Sequence, residues 1–551
     1  MRRGSDRRPD RWRRAFTWIA VGVLGVAIAA EVVLRRVVDA DFVAHRLTSR
    51  LAPRFAVDVG DAGFSFLRGS LDLRGVEVRR VGSPDGRGIP RLEVPSLELR
   101  GIDRLALVSG GPWRLGKLRA DSARIAIRLR TLTRTAGEGD QTVSPGERLG
   151  RLLPRLDVGE VEIRDATVVL ARDDGAPIDS VRGLEGTFEE VRTTSRGPDG
   201  GELRVSGDAS LRVPSFRHVT ADGRRALALD DVSVSTEDSA VRVAAVRWRP
   251  PDADSGPAAS DSGGAGVPSV SEPEEGTTIS ARGVSARRVD FSRLVSDHGI
   301  VAGRVTADSL DVRVAVRRTE PPREGRAPAM PNDWLRSVHV PLALDTVRVG
   351  HGTVGYAETP AGASRAGRIL LEDVSARLVG LANADGAGRS PGPVEVEATA
   401  RLEGRAPLRA RLGGSLVGDS LDLDVTGEVG SMRAAELNPA LVPLAGIRLT
   451  AGTIDSVSFE VRMSGRRSAG RLEALYDSLA LEKADAGEGP PGLMQKIGTS
   501  ILERRVWKAN PSRPGRDPRV GEIDHRRAGD ETFWAYLWKS IRSGLLDLAM
   551  R

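Results

Sequence analysis

The letters Gly-Asp-Ser-Leu at Gly418–Leu421 match a serine-hydrolase block with Ser420 as nucleophile, and Ser-Asp-His-Gly at Ser296–Gly299 offers Asp297 and His298 as partners. An acyl-transfer triad needs its serine on a sharp strand-to-helix turn and its histidine within hydrogen-bond reach. Ser420 instead follows the alternating pattern of a strand, and His298 lies upstream in another stretch of pattern, so no triad follows. The six histidines, His45, His218, His298, His339, His351 and His525, are scattered without metal-ligand spacing and read as surface or sheet residues. Gly116-Lys117 is followed by Leu118 where a phosphate-cradling loop needs Ser or Thr. With no cysteine, neither a thiolate zinc site nor a disulfide framework is available. The expectation is a protein that is not an enzyme, with no catalytic residue, metal or cofactor.

The elements that would position such groups are strands. At 551 residues the length suggests about three or four ordinary domains, and 40% hydrophobic content suits an ordered chain but not a polytopic membrane protein. The formal charge of +7 comes from interleaved basic and acidic residues, a solvated surface and not a nucleic-acid stripe. One basic cluster stands apart, in residues 1–14, just ahead of the apolar run Ala15–Leu34, whose one charge is Glu31. Such a run is about long enough to cross the hydrocarbon as a helix, and the positive-inside tendency keeps the arginines cytoplasmic. Ala27-Ile28-Ala29 also resembles a signal-cleavage site, but the apolar run continues through Val32, Val33 and Leu34, which favours a retained anchor over 15–36. Both readings send the body across the membrane.

Within the body, "SLDLRGVEVRR" at Ser70–Arg80 alternates apolar and polar, then changes phase at Gly75: Leu71 and Leu73 before it, Val76 and Val78 after. "SLELRGIDR" at Ser96–Arg104 repeats the figure around Gly101. Successive strand residues face opposite ways, so this reads as strand, glycine kink, strand. Further alternation runs through Leu310–Val316, Leu421-Asp422-Leu423-Asp424-Val425 and Phe459-Glu460-Val461, and no long helical stripe interrupts it. Residues 250–276 have almost nothing to bury and read as a flexible linker or loop between two halves, 37–249 and 277–482. "VEIRDATVVLAR" at Val161 aligns with "VRVGHGTVGYAE" at Val347, pairing Val161 and Ile163 with Val347 and Val349, an internal repeat of half-buried strands.

The anchor followed by "FAVDVGDAGFSFLRGSLDLRGVEV", the "LDVGEVEIRDATVVL" segment and above all "MRAAELNPALVPLAGIRLTAGTIDSVSFEVRMSGRRSAGRLEALYDSLAL" at Met432–Leu481 resemble AsmA-like envelope proteins. Leu437-Asn438-Pro439, Ala451-Gly452 and the Gly470 to Tyr476 figure carry most of the likeness; residues 250–276 have no place in the family pattern. The resemblance implies a mainly β fold related to chorein-type bridge-like lipid-transfer proteins: a long curved repeating sheet, tethered to the inner membrane and running through the periplasm. Its apolar open groove would hold acyl chains for outer-envelope biogenesis. Partners would then be phospholipid or another acyl lipid, the inner membrane and outer-membrane components, with no nucleic acid. Lining candidates are Leu71, Leu73, Val161, Ile163, Val347, Val349, Leu421, Leu423, Val425, Phe459 and Val461. On the order of thirty strands at about 4.8 Å could reach about 140 Å. The bland reading keeps the apolar face as an ordinary packed core. A non-carrying scaffold assisting outer-membrane protein assembly is the functional alternative.

The tail, 483–551, changes texture. "PGLMQKIGTSILERRVWKAN" has helical spacing, and "FWAYLWKSIRSGLLDLAM" sets Trp534, Leu537, Trp538, Ile541, Leu545 and Leu548 on one helix face. C-terminal amphipathic helices are expected, capping the last sheet or sitting at a membrane interface or groove mouth.

Overall fold

The computed structural model describes residues 41–42, 45, 55–65, 68–80, 91–102, 113–128, 156–171, 177–195, 201–220, 223–250, 276–296, 299–318, 328–338, 340–363, 365–383, 392–484, 508–513, 515–529 and 531–550. These are mainly β, with 23 strands of mixed sheet. No helix among the described residues is long and apolar enough to cross a membrane; the run at 15–36, most of the linker and the first tail helix lie outside them. The chain forms two compact units, Met1–Val219 with Asp230–Glu237, and Thr220–Leu229 with Asp238–Arg551.

In the first unit β1 (Phe55–Asp58) and β2 (Asp61–Ser65) pair antiparallel with β3 (Ser70–Arg80), which pairs with β4 (Arg91–Arg100). β4 pairs with β5 (Trp113–Asp121) and β6 (Arg124–Arg128), both of which run parallel to β7 (Leu156–Ala171). β8 (Pro177–Ser195) follows antiparallel, and takes β9 (Gly201–Val205) and β10 (Ala209–Val219) on its far side. β11 (Ala226–Ser235) contributes residues to both units.

In the second unit β12 (Ala240–Arg249), β13 (Gly276–Val289) and β14 (Ile300–Arg317) are antiparallel neighbours, with α1 (Phe291–Ser296) between the last two. β15 (Leu342–Thr359) is parallel to β14, and the crossover this requires carries α2 (Pro331–Ser337). Antiparallel pairing then continues through β16 (Gly367–Ala382), β17 (Val394–Leu402), β18 (Ala406–Ser415) and β19 (Asp422–Val429). After β20 (Met432–Arg433) and α3 (Asn438–Ala445), β21 (Ile447–Ser464) pairs with β19, then with β22 (Arg467–Lys483), and β22 with β23 (Val520–Arg526). α4 (Phe533–Met550) ends the chain's described part.

The internal echo marks equivalent strands. β7 begins at Leu156 and β15 at Leu342, 342 − 156 = 186 residues on, and each is the second member of its unit's parallel pair, followed by an antiparallel partner. The β-sheet therefore repeats in structure as well as in letters.

The phase change at Gly75 has a physical cause. Gly75 adopts φ +62°, a conformation open to glycine but costly for side chains, and the extra turn brings Leu71, Leu73 and Val76 to one buried face. β4 changes phase at the same level, because Arg74 faces Ser96 and Val76 faces Val94, which leaves Gly75 opposite Pro95. The line continues through Ser122 (φ 55°) and Asp165 (φ 49°), joined by a 3.3 Å Ser122 Oγ to Asp165 Oδ2 hydrogen bond, to Gly183 (φ 68°) against the Pro214 ring. Positive φ in a non-glycine residue is uncommon, so its recurrence along one transverse line marks a fold line shared by neighbouring strands. Gly101 (φ 67°) does not continue its strand as expected: β4 ends at Arg100, and Gly101 packs against Gly116 on a second line with Gly69 (φ 60°) and Gly159. On β3 the two lines stand 75 − 69 = 6 residues apart. The second unit has its own pair of lines, one through Gly283, Asp308, Gly350 and Asp373, the other through Ser239, Arg288, Gly303 and Gly380. Gly75→Val should lower unfolding stability by about 1–3 kcal/mol through backbone strain alone, read as a lower urea midpoint; an unchanged midpoint would mean the fold line is not strained.

Candidate functional site

Strand register assembles the apolar candidates into rows that cross the strands. In the first unit Phe64, Leu71, Leu99, Leu118, Val161 and Phe188 face one another in succession from β2 to β8. The next row holds Ala62, Leu73, Leu97, Ala120 and Ile163. Leu71, Leu73, Val161 and Ile163 thus occupy neighbouring positions on one face, joined by residues that the sequence pattern did not single out. Leu71 and Leu73 are fully buried, each 1% exposed, whereas Val161 and Ile163 are half-buried.

The second unit carries a longer row. Val241, Ala286, Val305, Val347, Leu378, Val396, Leu412, Val425 and Val461 lie opposite one another from β12 to β21. Eight inter-strand steps at about 4.8 Å make it on the order of 38 Å long. Beside it run Val349, Ala376, Ala398, Ala410, Gly427 and Phe459. Beyond the fold line Trp248, Ile279, Val312, Val354 and Leu371 form another row, with Ile279 37% exposed. From Val241 to Leu412 the long row is half-buried, with Leu378, Val396 and Leu412 packed against the buried cluster that closes it at Val425 and Val461.

The closed part is filled by the chain's own packing. Leu421, Leu423, Val425 and Val461 belong to one buried cluster with Met463, Leu472, Ile523, Leu335 of α2, and Tyr536 and Leu548 of α4; Phe459 packs against it half-buried. α4 lies so close on the sheet that a Cβ on Gly544 would stand 2.7 Å from Ile523 Cγ1 and 3.1 Å from Leu472 Cβ. Its Ala535 also meets Val314 of β14 and Tyr356 of β15, so the sheet between β14 and β23 coils round this helix. The face expected to be buried is only partly so: Leu537, Trp538, Ile541 and Leu545 are half-buried and Trp534 is 40% exposed. The fully buried stripe is Ala535, Tyr536, Ser540, Gly544 and Leu548, where small side chains allow the close approach.

Polar groups line the same junction. Glu531, 2% exposed at its side chain, accepts hydrogen bonds from Lys539 Nζ at 2.8 Å and lies 3.1 Å from His525 Nε2. Burial alone would push its carboxyl up, but the hydrogen bonds from His525 and Lys539 outweigh that and hold it at about 2. Glu358 accepts from Arg318 Nε at 3.0 Å and from the Tyr356 hydroxyl, whose titration burial and the Glu358 charge push far up. Burial lowers the Arg542 guanidinium, opposed by Glu358 and Glu531.

The chemistry-bearing letters stay apart. Ser420 is exposed in the bend between β18 and β19, not in a strand as its alternation suggested, because Gly418-Asp419 supply the turn. Asp297 and His298 lie outside the described residues. His218 Nδ1 meets Asp179 at 2.6 Å between β10 and β8, a pair that the sequence spacing did not reveal. Among the described residues no group of three metal-ligating side chains converges. No protein-family model matches the chain, and no curated protein matches it.

Proposed function

We propose that this protein is a carrier for acyl lipid, not an enzyme: anchored in the inner membrane, its body in the periplasm, it holds or moves phospholipid along the apolar face of its repeating sheet for outer-envelope biogenesis. The observation that carries this reading is the row from Val241 to Leu412, aliphatic over seven strands and half-buried throughout. An aliphatic surface holds hydrocarbon with no further chemistry, at roughly 0.8 kcal/mol per buried methylene. The resemblance to AsmA-like envelope proteins points the same way and supplies the compartment.

Native mass spectrometry of the full chain, purified without added lipid, tests it. The wild type should carry phospholipid, and Val305→Glu and Val347→Glu should each reduce it to background, since a carboxylate on the row excludes a hydrocarbon tail. Both side chains are half-buried and lie outside the buried clusters, so strand content by circular dichroism should stay unchanged. Lipid retained by both folded variants would remove the groove assignment. A wild type that carries none would favour the scaffold that assists outer-membrane protein assembly, a reading supported by the filled core at Val425 and Val461.

A further inference from the structure

The face of the second unit opposite the aliphatic row is charged and holds a concavity. A trough of about 1060 Å³ crosses it from β14 to β23. Register sets its walls: Arg348 faces Arg377, Arg377 faces Glu397, and Glu397 faces Arg411, with Thr426, Glu460 and Arg471 continuing the line. A parallel line one row over holds Ser375, Thr399, Arg409, Glu428 and Ser458.

The charges are not evenly matched along it. Glu397 is committed to Arg411 at 3.4 Å and Glu460 to Arg471 at 2.9 Å. Arg348, Arg377 and Arg409 remain at the β15–β18 end, exposed and without an ion pair among the described residues. Besides Glu397, the nearby carboxylates are Glu395, two residues along the same strand and diagonal to Arg377, Asp308, one row over on β14 beside Gly350, and Glu428 opposite Arg409. Arg348 and Arg377 stand directly opposite one another on neighbouring strands, where like charges are destabilising. Small side chains at Ala376, Ala398 and Ala410 point to the other face, leaving the floor of the trough to backbone.

We infer that Arg348 and Arg377 form a clamp for a phosphoryl group, with Arg409 and the Thr399 hydroxyl alongside. Guanidinium forks match phosphate oxygens in paired hydrogen bonds, and a bound phosphoryl anion converts the repulsion between the two arginines into shared attraction. The phosphoryl group belongs either to a lipid headgroup or to a soluble phosphorylated molecule. The site is on the polar face and holds whether or not the aliphatic row carries lipid.

Two soluble probes decide it on the full chain at low ionic strength: inorganic pyrophosphate, and dihexanoylphosphatidylglycerol below its micellar concentration, each followed by calorimetric titration. The Arg348→Gln/Arg377→Gln double variant should bind at least about tenfold more weakly, the loss of one charge-assisted contact or more. Arg348→Gln alone should raise the thermal midpoint of the unliganded protein, since it removes the like-charge pair while Arg377 keeps Glu397 opposite it; a merely structural arginine would lower it. Arginine-dependent binding of the short-chain lipid supports the site with a headgroup as its ligand, and arginine-dependent binding of pyrophosphate alone supports it with a soluble one. Binding of neither probe, or equal binding by the double variant, overturns the site.

Discussion

Leu423→Glu is expected to unfold the C-terminal half of the second unit. Leu423 is 1% exposed, faces Met463 at 0%, and shares its cluster with Leu472, Ile523 and the C-terminal helix. Losing a buried leucine typically costs about 2–5 kcal/mol, and an unpaired buried carboxylate adds several more. Together these match much of the roughly 5–15 kcal/mol that holds a domain folded. Limited proteolysis should show early cleavage after β19, and the thermal transition should lose its cooperativity. A normal midpoint would mean that the helix does not seal this part of the sheet. Val347→Glu is the contrast: the same chemistry placed on the half-buried stretch outside that cluster should leave folding intact.

Glu531 should make that same core sensitive to acid. Its carboxyl sits at about 2 in the folded chain against 4.5 for an unperturbed group. A carboxylate whose folded value is depressed contributes its stability in full above the unfolded value and loses it as pH falls toward the folded one. The window is therefore about pH 4.5 down to about 2, and the loss is on the order of 3 kcal/mol. Glu531→Gln should be less stable than the wild type at pH 6, and most of the gap should be gone by pH 2.5. Glu531→Ala should cost about 3–5 kcal/mol at neutral pH, because Lys539 and His525 lose a buried partner. If urea midpoints of wild type and Glu531→Gln fall in parallel with acid, the pairing does not hold the helix.

Alternation made the strands legible, since one face buried and one solvated is a period that composition cannot hide. The echo between Val161 and Val347 located equivalent strands because side-chain phase survives when identity does not. The fold lines were half legible. Gly75 announced one by its type, while Ser122, Asp165 and Asp373 carry the same left-handed backbone in residues that read as ordinary polar-face positions. β23 went unseen inside a tail expected to be helical: its inward positions are Gly521, Ile523 and His525, so a single aliphatic side chain marks its buried face. Hydropathy located one flank of the last helix's seam, Leu537, Ile541, Leu545 and Leu548, but not its middle, because close approach there rests on Ser540 and Gly544, which score as indifferent. For the site, single candidates such as Val347 and Val461 were readable, but their alignment through Leu378, Val396 and Leu412 depends on pairing between distant segments.

The coil of the sheet round α4 gives the long row two unlike ends. Toward β12 its side chains remain partly open, while at β21 the helix stands across the way. For the acyl lipid proposed above, such a row would be a cul-de-sac. A hydrocarbon tail laid along it would have to leave by the end at which it entered, so the proposed traffic in this unit has one doorway and a wall.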